Sequence, residues 1–117
     1  MNAYVNSLAG GKAVRSSARI EAFIRATDFD RPTLVLDTEL VAQQFRALKA
    51  GLGRADIHYA VKANPERAVI ETLVAEGSHF DAASRGEIEL CLGLGARPET
   101  ISFGNTIKKE RDIARAH

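Results

Sequence analysis

A lysine closes the apolar run of "DIHYAVKANP" (residues 56–65), and an aspartate follows it by nineteen positions, inside "SHFDAAS" (78–84). Side chains alternate between the two faces of a strand. In the first stretch Ile57, Tyr59 and Val61 share one face, and His58, Ala60 and Lys62 share the other. The first set is bulky and suits packing under a helix; the second is small or polar and suits a cavity. The same count on the second stretch sends Phe80 and Ala82 toward the helices and His79, Asp81 and Ala83 inward. Lys62 and Asp81 are therefore expected on one face, near the C-terminal ends of two strands. A buried lysine is costly as a cation, so desolvation lowers its pKa and frees an amine that attacks carbonyl carbon to form a Schiff base. The same residues also suit a strand-end lysine that reaches solvent, or a Lys–Asp ion pair without chemistry, and pattern alone leaves these open.

Other polar residues have plainer readings. Ser84-Arg-Gly-Glu87 is a capping box: the serine accepts from the third helical N–H and the glutamate returns the bond. A helix start after such a strand also lies at the rim where a site would form. Asn64 reads as a cap, with Pro65 in the first helical turn. His58 reads as a core or rim histidine. Cys91 lies on an apolar helical face and reads as packing. Gly93 and Gly95 lack the dinucleotide-loop spacing and close a helix.

The elements that must position these residues follow from periodicity. "SSARIEAFIRATDF" is a short amphipathic helix, capped by Ser16 or Ser17, with Ile20, Phe23 and Ile24 on one face. "RPTLVLD" is predicted as a strand opened by Pro32. A helix over residues 39–52 carries Val41, Phe45, Leu48 and Leu52 on one stripe and stops at Gly51 and Gly53. Strand "DIHYAV" is followed by a helix carrying Val69, Ile70, Leu73 and Val74. Strand "SHFDAA" is followed by a helix with Ile88, Cys91 and Leu92 inward. Strand "TISFGN" is followed by a helix beginning in "TIKKERDIARAH". Strands alternating with helices of roughly 10–15 residues indicate βαβ units and a parallel sheet. The final helix carries no cap or stop signal, so the chain reads as the front of something longer.

Composition sets limits. The 117 residues suffice for one domain with a modest core, at 45% hydrophobic and 26% charged. Net charge is +1, with no basic stripe interleaved with aromatics, so nothing asks for nucleic acid. No apolar run approaches the ~20 residues of a membrane span. A single cysteine forms no internal disulfide and fits a reducing cytoplasm. The first twenty residues hold Lys12, Arg15 and Arg19, several serines and no acid, a composition shared by transit peptides and by plain polar leaders.

"YAVKANP" followed by "FDAASRGEIEL" resembles the pyridoxal-phosphate-dependent basic amino acid decarboxylases, which share the alanine-racemase-like barrel. The match is closest to the ornithine decarboxylase group and runs from "RPTLVLD" through "ISFGNTIKK". The resemblance implies that Lys62 carries pyridoxal 5'-phosphate as a Schiff base. It implies that Asp81 and Glu87 line the cofactor site, with Ser84 beside them. It implies an α/β fold, the N-terminal part of a (β/α)8 TIM barrel. Such a barrel needs eight units and ~250 residues, and about three are present, so the barrel is expected to be incomplete here. Residues 1–30 would be a leader and short helix, and 31–117 the first strands and helices of the cofactor-binding barrel. Metal is not expected. The resemblance implies that the parent protein is a cytoplasmic homodimer decarboxylating a basic amino acid as its small-molecule substrate, foremost L-ornithine to putrescine in polyamine biosynthesis.

Lysine, arginine and diaminopimelate decarboxylases are alternatives. "VKANP" suits the last, whereas "FDAASRGE" leans toward ornithine or lysine. Alanine racemase usually follows its lysine motif with Ala-Tyr-Gly, where this chain has Pro-Glu-Arg after Asn64. A non-catalytic fragment, or a decarboxylase-like protein that binds a regulator, is the remaining reading; loss of the lysine would have supported it, and Lys62 is present. Asn105, Lys108 and Lys109 match the family stretch but receive no role.

Overall fold

The computed structural model describes residues 17–116. The predicted leader falls almost wholly outside them. Within residues 17–37, helix α1 spans Ala18–Ala26 and is capped by Ser17, whose Oγ accepts from the Ile20 N–H at 3.2 Å. An Arg25–Glu21 pair one turn apart supports it. The expected apolar face does not become a core: no residue of α1 is buried, and Phe23 instead meets the ring of Phe29, centroids 6.1 Å apart. The predicted strand over residues 31–37 is also overturned. Those residues join no β-ladder among the described residues, and Leu34 is 87% exposed. A strand exists only through its ladder, and alternation in sequence cannot supply the partner.

The remaining residues form three βα layers. Helix α2 spans Thr38–Leu52; its stripe brings Val41 and Phe45 against the core and Ala42 into it, while Leu48 and Leu52 stay half exposed. Gly51 lies inside α2, and the chain turns only at Gly53, at φ 61, a conformation a β-carbon disfavours. Strand β1 spans His58–Ala60, helix α3 Arg67–Ala75, strand β2 His79–Ala82, helix α4 Arg85–Gly93, strand β3 Ile101–Phe103 and helix α5 Glu110–Ala116. The strands pair in the order β1-β2-β3, all parallel, as the alternation predicted. Register sets Ala60 against Asp81, and Asp81 against Ser102.

One face of this sheet makes the core. Phe80 and Ala82 of β2 are wholly buried with Val61, Ile70 and Cys91, and Val69, Leu73 and Ile88 lie close to that limit. Full burial of such side chains is worth about 1.5–3 kcal/mol each. In α3 and α4 the helical periodicity is confirmed for Val69, Ile70, Leu73, Ile88 and Cys91, whereas Leu92 is 39% exposed and Val74 only half buried. Helices α2 and α3 are tied by a two-pronged Arg46–Glu76 pair, at 2.9 and 2.7 Å, which raises the guanidinium pKa and lowers that of the carboxyl. The opposite face carries His58, Ala60, His79, Asp81 and Ser102, none of them buried.

Candidate functional site

Lys62 does not lie on a strand. β1 ends at Ala60, and Val61–Ala63 wind into one 3₁₀ turn, so the alternation cannot be carried through to the lysine. The turn is anchored on both sides. Val61 is fully buried and fixes its start. Tyr59 donates its hydroxyl to the Asn64 carbonyl at 3.2 Å, and burial raises that phenol's pKa, keeping the donor protonated. Asn64 Oδ1 accepts from the Glu66 N–H at 3.1 Å, a local side-chain turn rather than a helix cap. Helix α3 consequently starts at Arg67, behind an Ncap at Glu66, and Pro65 lies before it. The backbone of Lys62 is thus held while the residue is exposed, so of the alternatives left open by pattern the described structure has the lysine that reaches solvent.

Asp81 does lie where the count placed it, on the uncovered face of β2 and half buried. Its strand pairs directly with β1, the strand before the Lys62 turn, in register with Ala60 two residues before the lysine. Its carboxylate leans toward β3 and fills the space above Gly104, where a β-carbon would stand 2.9 Å from the Asp81 Cγ and 3.1 Å from Oδ2. Gly104 is itself tied to β2 by its N–H to the Ala82 carbonyl at 2.9 Å. Nothing in "ISFGN" distinguishes this glycine from a strand-end turn residue.

Ser84 caps α4, its Oγ accepting from the Glu87 N–H at 3.2 Å. Glu87 returns the bond one residue earlier than the capping box predicts: its Oε2 accepts from the Ala83 N–H at 2.6 Å. The carboxylate therefore braces the turn that leaves β2, two residues beyond Asp81. It also lies near Cys91, whose thiol pKa is raised first by burial and then by the Glu87 charge. The two inward histidines meet edge to face, centroids 4.9 Å apart, at the N-terminal ends of β1 and β2. That end is opposite the Lys62 turn, which fits the rim reading of His58. Lys108, itself exposed, lies over the Phe103 ring at 5.2 Å, a cation–π contact. A cleft touching Val74, Ser78, Phe80 and Thr100 opens on the helix side and contains neither Lys62 nor Asp81. Among the described residues no cluster of His, Cys, Asp or Glu could hold a metal ion.

An amine on the turn after β1 and a carboxylate on the adjacent parallel strand β2 lie toward the C-terminal ends of the strands, the end at which α/β barrels build their sites. The class becomes specific on comparison with known proteins. Residues 38–117 match the family described as the pyridoxal-dependent decarboxylase, pyridoxal binding domain, and the chain belongs to that family. It is 44% identical over 86 residues to the chloroplastic ornithine decarboxylase of Nicotiana glutinosa, covering 74% of this chain and 20% of that protein. It is 35% identical to the lysine/ornithine decarboxylase of Selenomonas ruminantium, over 73% of this chain and 22% of the relative. The lysine/ornithine decarboxylase of Vibrio vulnificus, solved with putrescine, superposes with a TM-score of 0.78 at 39% identity, over 86% of this chain and 28% of that one. The chain spans about a fifth of the length of these curated relatives. Pyridoxal phosphate is the cofactor of the family.

Proposed function

We propose that this chain supplies the cofactor-binding lysine and its surroundings to a decarboxylase of basic amino acids, with L-ornithine as substrate and putrescine as product, in polyamine synthesis. The single observation that carries the reading is the placement of Lys62 on a turn pinned by Val61 and Tyr59, one strand from Asp81. The donor set fits pyridoxal phosphate: a primary amine for its aldehyde and a carboxylate seated beside the open face of the sheet. When bound, the cofactor draws electrons from the bond between Cα and the carboxylate, chemistry that no side chain supplies. Lys62 would hold the cofactor through its amine. Asp81 would face the cofactor with its carboxylate from the neighbouring strand. Ser84 and Glu87 hold the β2–α4 turn, and so the height of Asp81, through the bonds to Glu87 N–H and Ala83 N–H.

The whole protein is proposed as a cytoplasmic homodimer, with residues 1–30 as leader and short helix and 31–117 as the first units of an alanine-racemase-like barrel. The 20–28% coverage of relatives supports such a division of labour with further barrel units. No helix among the described residues is long and apolar enough to cross a membrane.

The test is borohydride reduction of the protein isolated from its own cells, followed by intact mass and peptide mapping. Reduction converts the attached cofactor to a stable adduct. An adduct on Lys62, lost in Lys62→Ala, together with carbon dioxide release from ornithine ahead of lysine, arginine and diaminopimelate, is the expected result. An adduct on another residue, or none, overturns the assignment of Lys62; preference for another amino acid overturns the substrate.

A further inference from the structure

We infer that Gly104 is a positioning residue: its missing β-carbon is the seat of the Asp81 carboxylate, and thereby sets where that charge faces the cofactor site. The inference rests on the reading of Asp81 proposed above. Three observations converge on it. The Asp81 Cγ lies 2.9 Å from the point a β-carbon at 104 would occupy, closer than such atoms approach in folded chains, Oδ2 lies at 3.1 Å, tighter than most such contacts, and Oδ1 lies closer than either. The neighbouring glycines behave otherwise: Gly86 would meet only Ser84 Oγ, at 3.9 Å, and Gly93 would meet nothing within 4 Å. The backbone of Gly104 cannot retreat cheaply, because its N–H is bonded to the Ala82 carbonyl at 2.9 Å, extending the β2–β3 pairing past Phe103.

A methyl group at 104 must therefore move something, and the softest neighbour is the Asp81 side chain, which rotates about two bonds. The fold would survive the substitution while the carboxylate swung out of its seat. That separates a positioning role from a structural one. A displacement of about 1 Å in a reacting assembly costs up to roughly 100-fold in rate.

The experiment is a double-substitution cycle in the protein as its own cells make it: wild type, Gly104→Ala, Asp81→Ala and the pair. The rate of pyridoxal phosphate attachment to the cofactor-depleted protein is followed by visible absorbance, and thermal unfolding is measured alongside. Gly104→Ala should slow attachment by about 10- to 100-fold with little change in unfolding temperature. In the Asp81→Ala background the same change should have no further effect, because the group it displaces is gone. Equal slowing in both backgrounds, or no slowing in either, overturns the inference. If the wild type takes up no cofactor, the functional reading fails and the rate consequence fails with it. The seating is then decided by a crystal structure of Gly104→Ala, where a displaced Asp81 carboxylate supports it and an undisplaced one overturns it.

Discussion

Cys91 shows how one residue's environment becomes a measurable property. It is fully buried between α4 and the sheet, and its thiol pKa is raised by that burial and, secondarily, by Glu87. A folded-state pKa above the unfolded one contributes stability that is complete below the unfolded value, ~8.5, and is lost as pH rises through the folded value. The unfolding temperature should therefore fall more steeply above about pH 8.5 in the wild type than in Cys91→Ala. Alkylation of Cys91 should be slow under native conditions and prompt in denaturant; prompt native alkylation would refute the burial. Ser84 is the complementary case at the surface. Its Oγ is the cap of α4, so Ser84→Ala should cost about 1 kcal/mol in denaturant unfolding, and Ser84→Asp should recover most of that.

At the scale of elements, the parallel pairing rests on β2, the strand with a partner on each side. Phe80 is its largest inward side chain and is wholly buried, in contact with the cluster formed by Val61, Ile70, Leu73 and Cys91. Phe80→Ala should cost about 3–5 kcal/mol, enough to unfold much of a small domain, and denaturant titration by circular dichroism measures it. Residues 17–37 carry far less: α1 buries nothing and residues 31–37 have no ladder partner among the described residues. Helical elements were legible because their stripes repeat over several turns, as in Val69, Ile70 and Leu73 of α3. The strand assigned to residues 31–37 was not, because an edge strand depends on a partner remote in sequence. The start of α3 was misplaced by two residues because Asn64 uses its side chain for a turn around Pro65 rather than for a cap.

For the molecule as a whole, the described sheet has one covered face and one open face, with β1 and β3 as unpaired edges among the described residues. Leu48, Leu52, Ile107 and Ile113 add exposed apolar surface around it. Open edges and apolar patches are templates for association. Expressed by itself, the 117-residue chain should self-associate and release no carbon dioxide from ornithine. Size-exclusion chromatography and a decarboxylation assay check this; a monodisperse, active monomer would refute it.

The alternating βα pattern, the helix faces, the inward count that places Asp81, and the serine cap at Ser84 are local properties. Period, cap chemistry and turn residues act over a few positions, so the sequence by itself determined them, and the two motifs around Lys62 and Asp81 carried the family. Tertiary structure alone decided three things. It ended β1 before Lys62, because burial of Val61 and the Tyr59–Asn64 bond favour a 3₁₀ turn over another strand residue. It sent the Glu87 carboxylate to Ala83 rather than to the cap residue. It set Asp81 over Gly104, a contact between two strands whose register is fixed only when the sheet assembles.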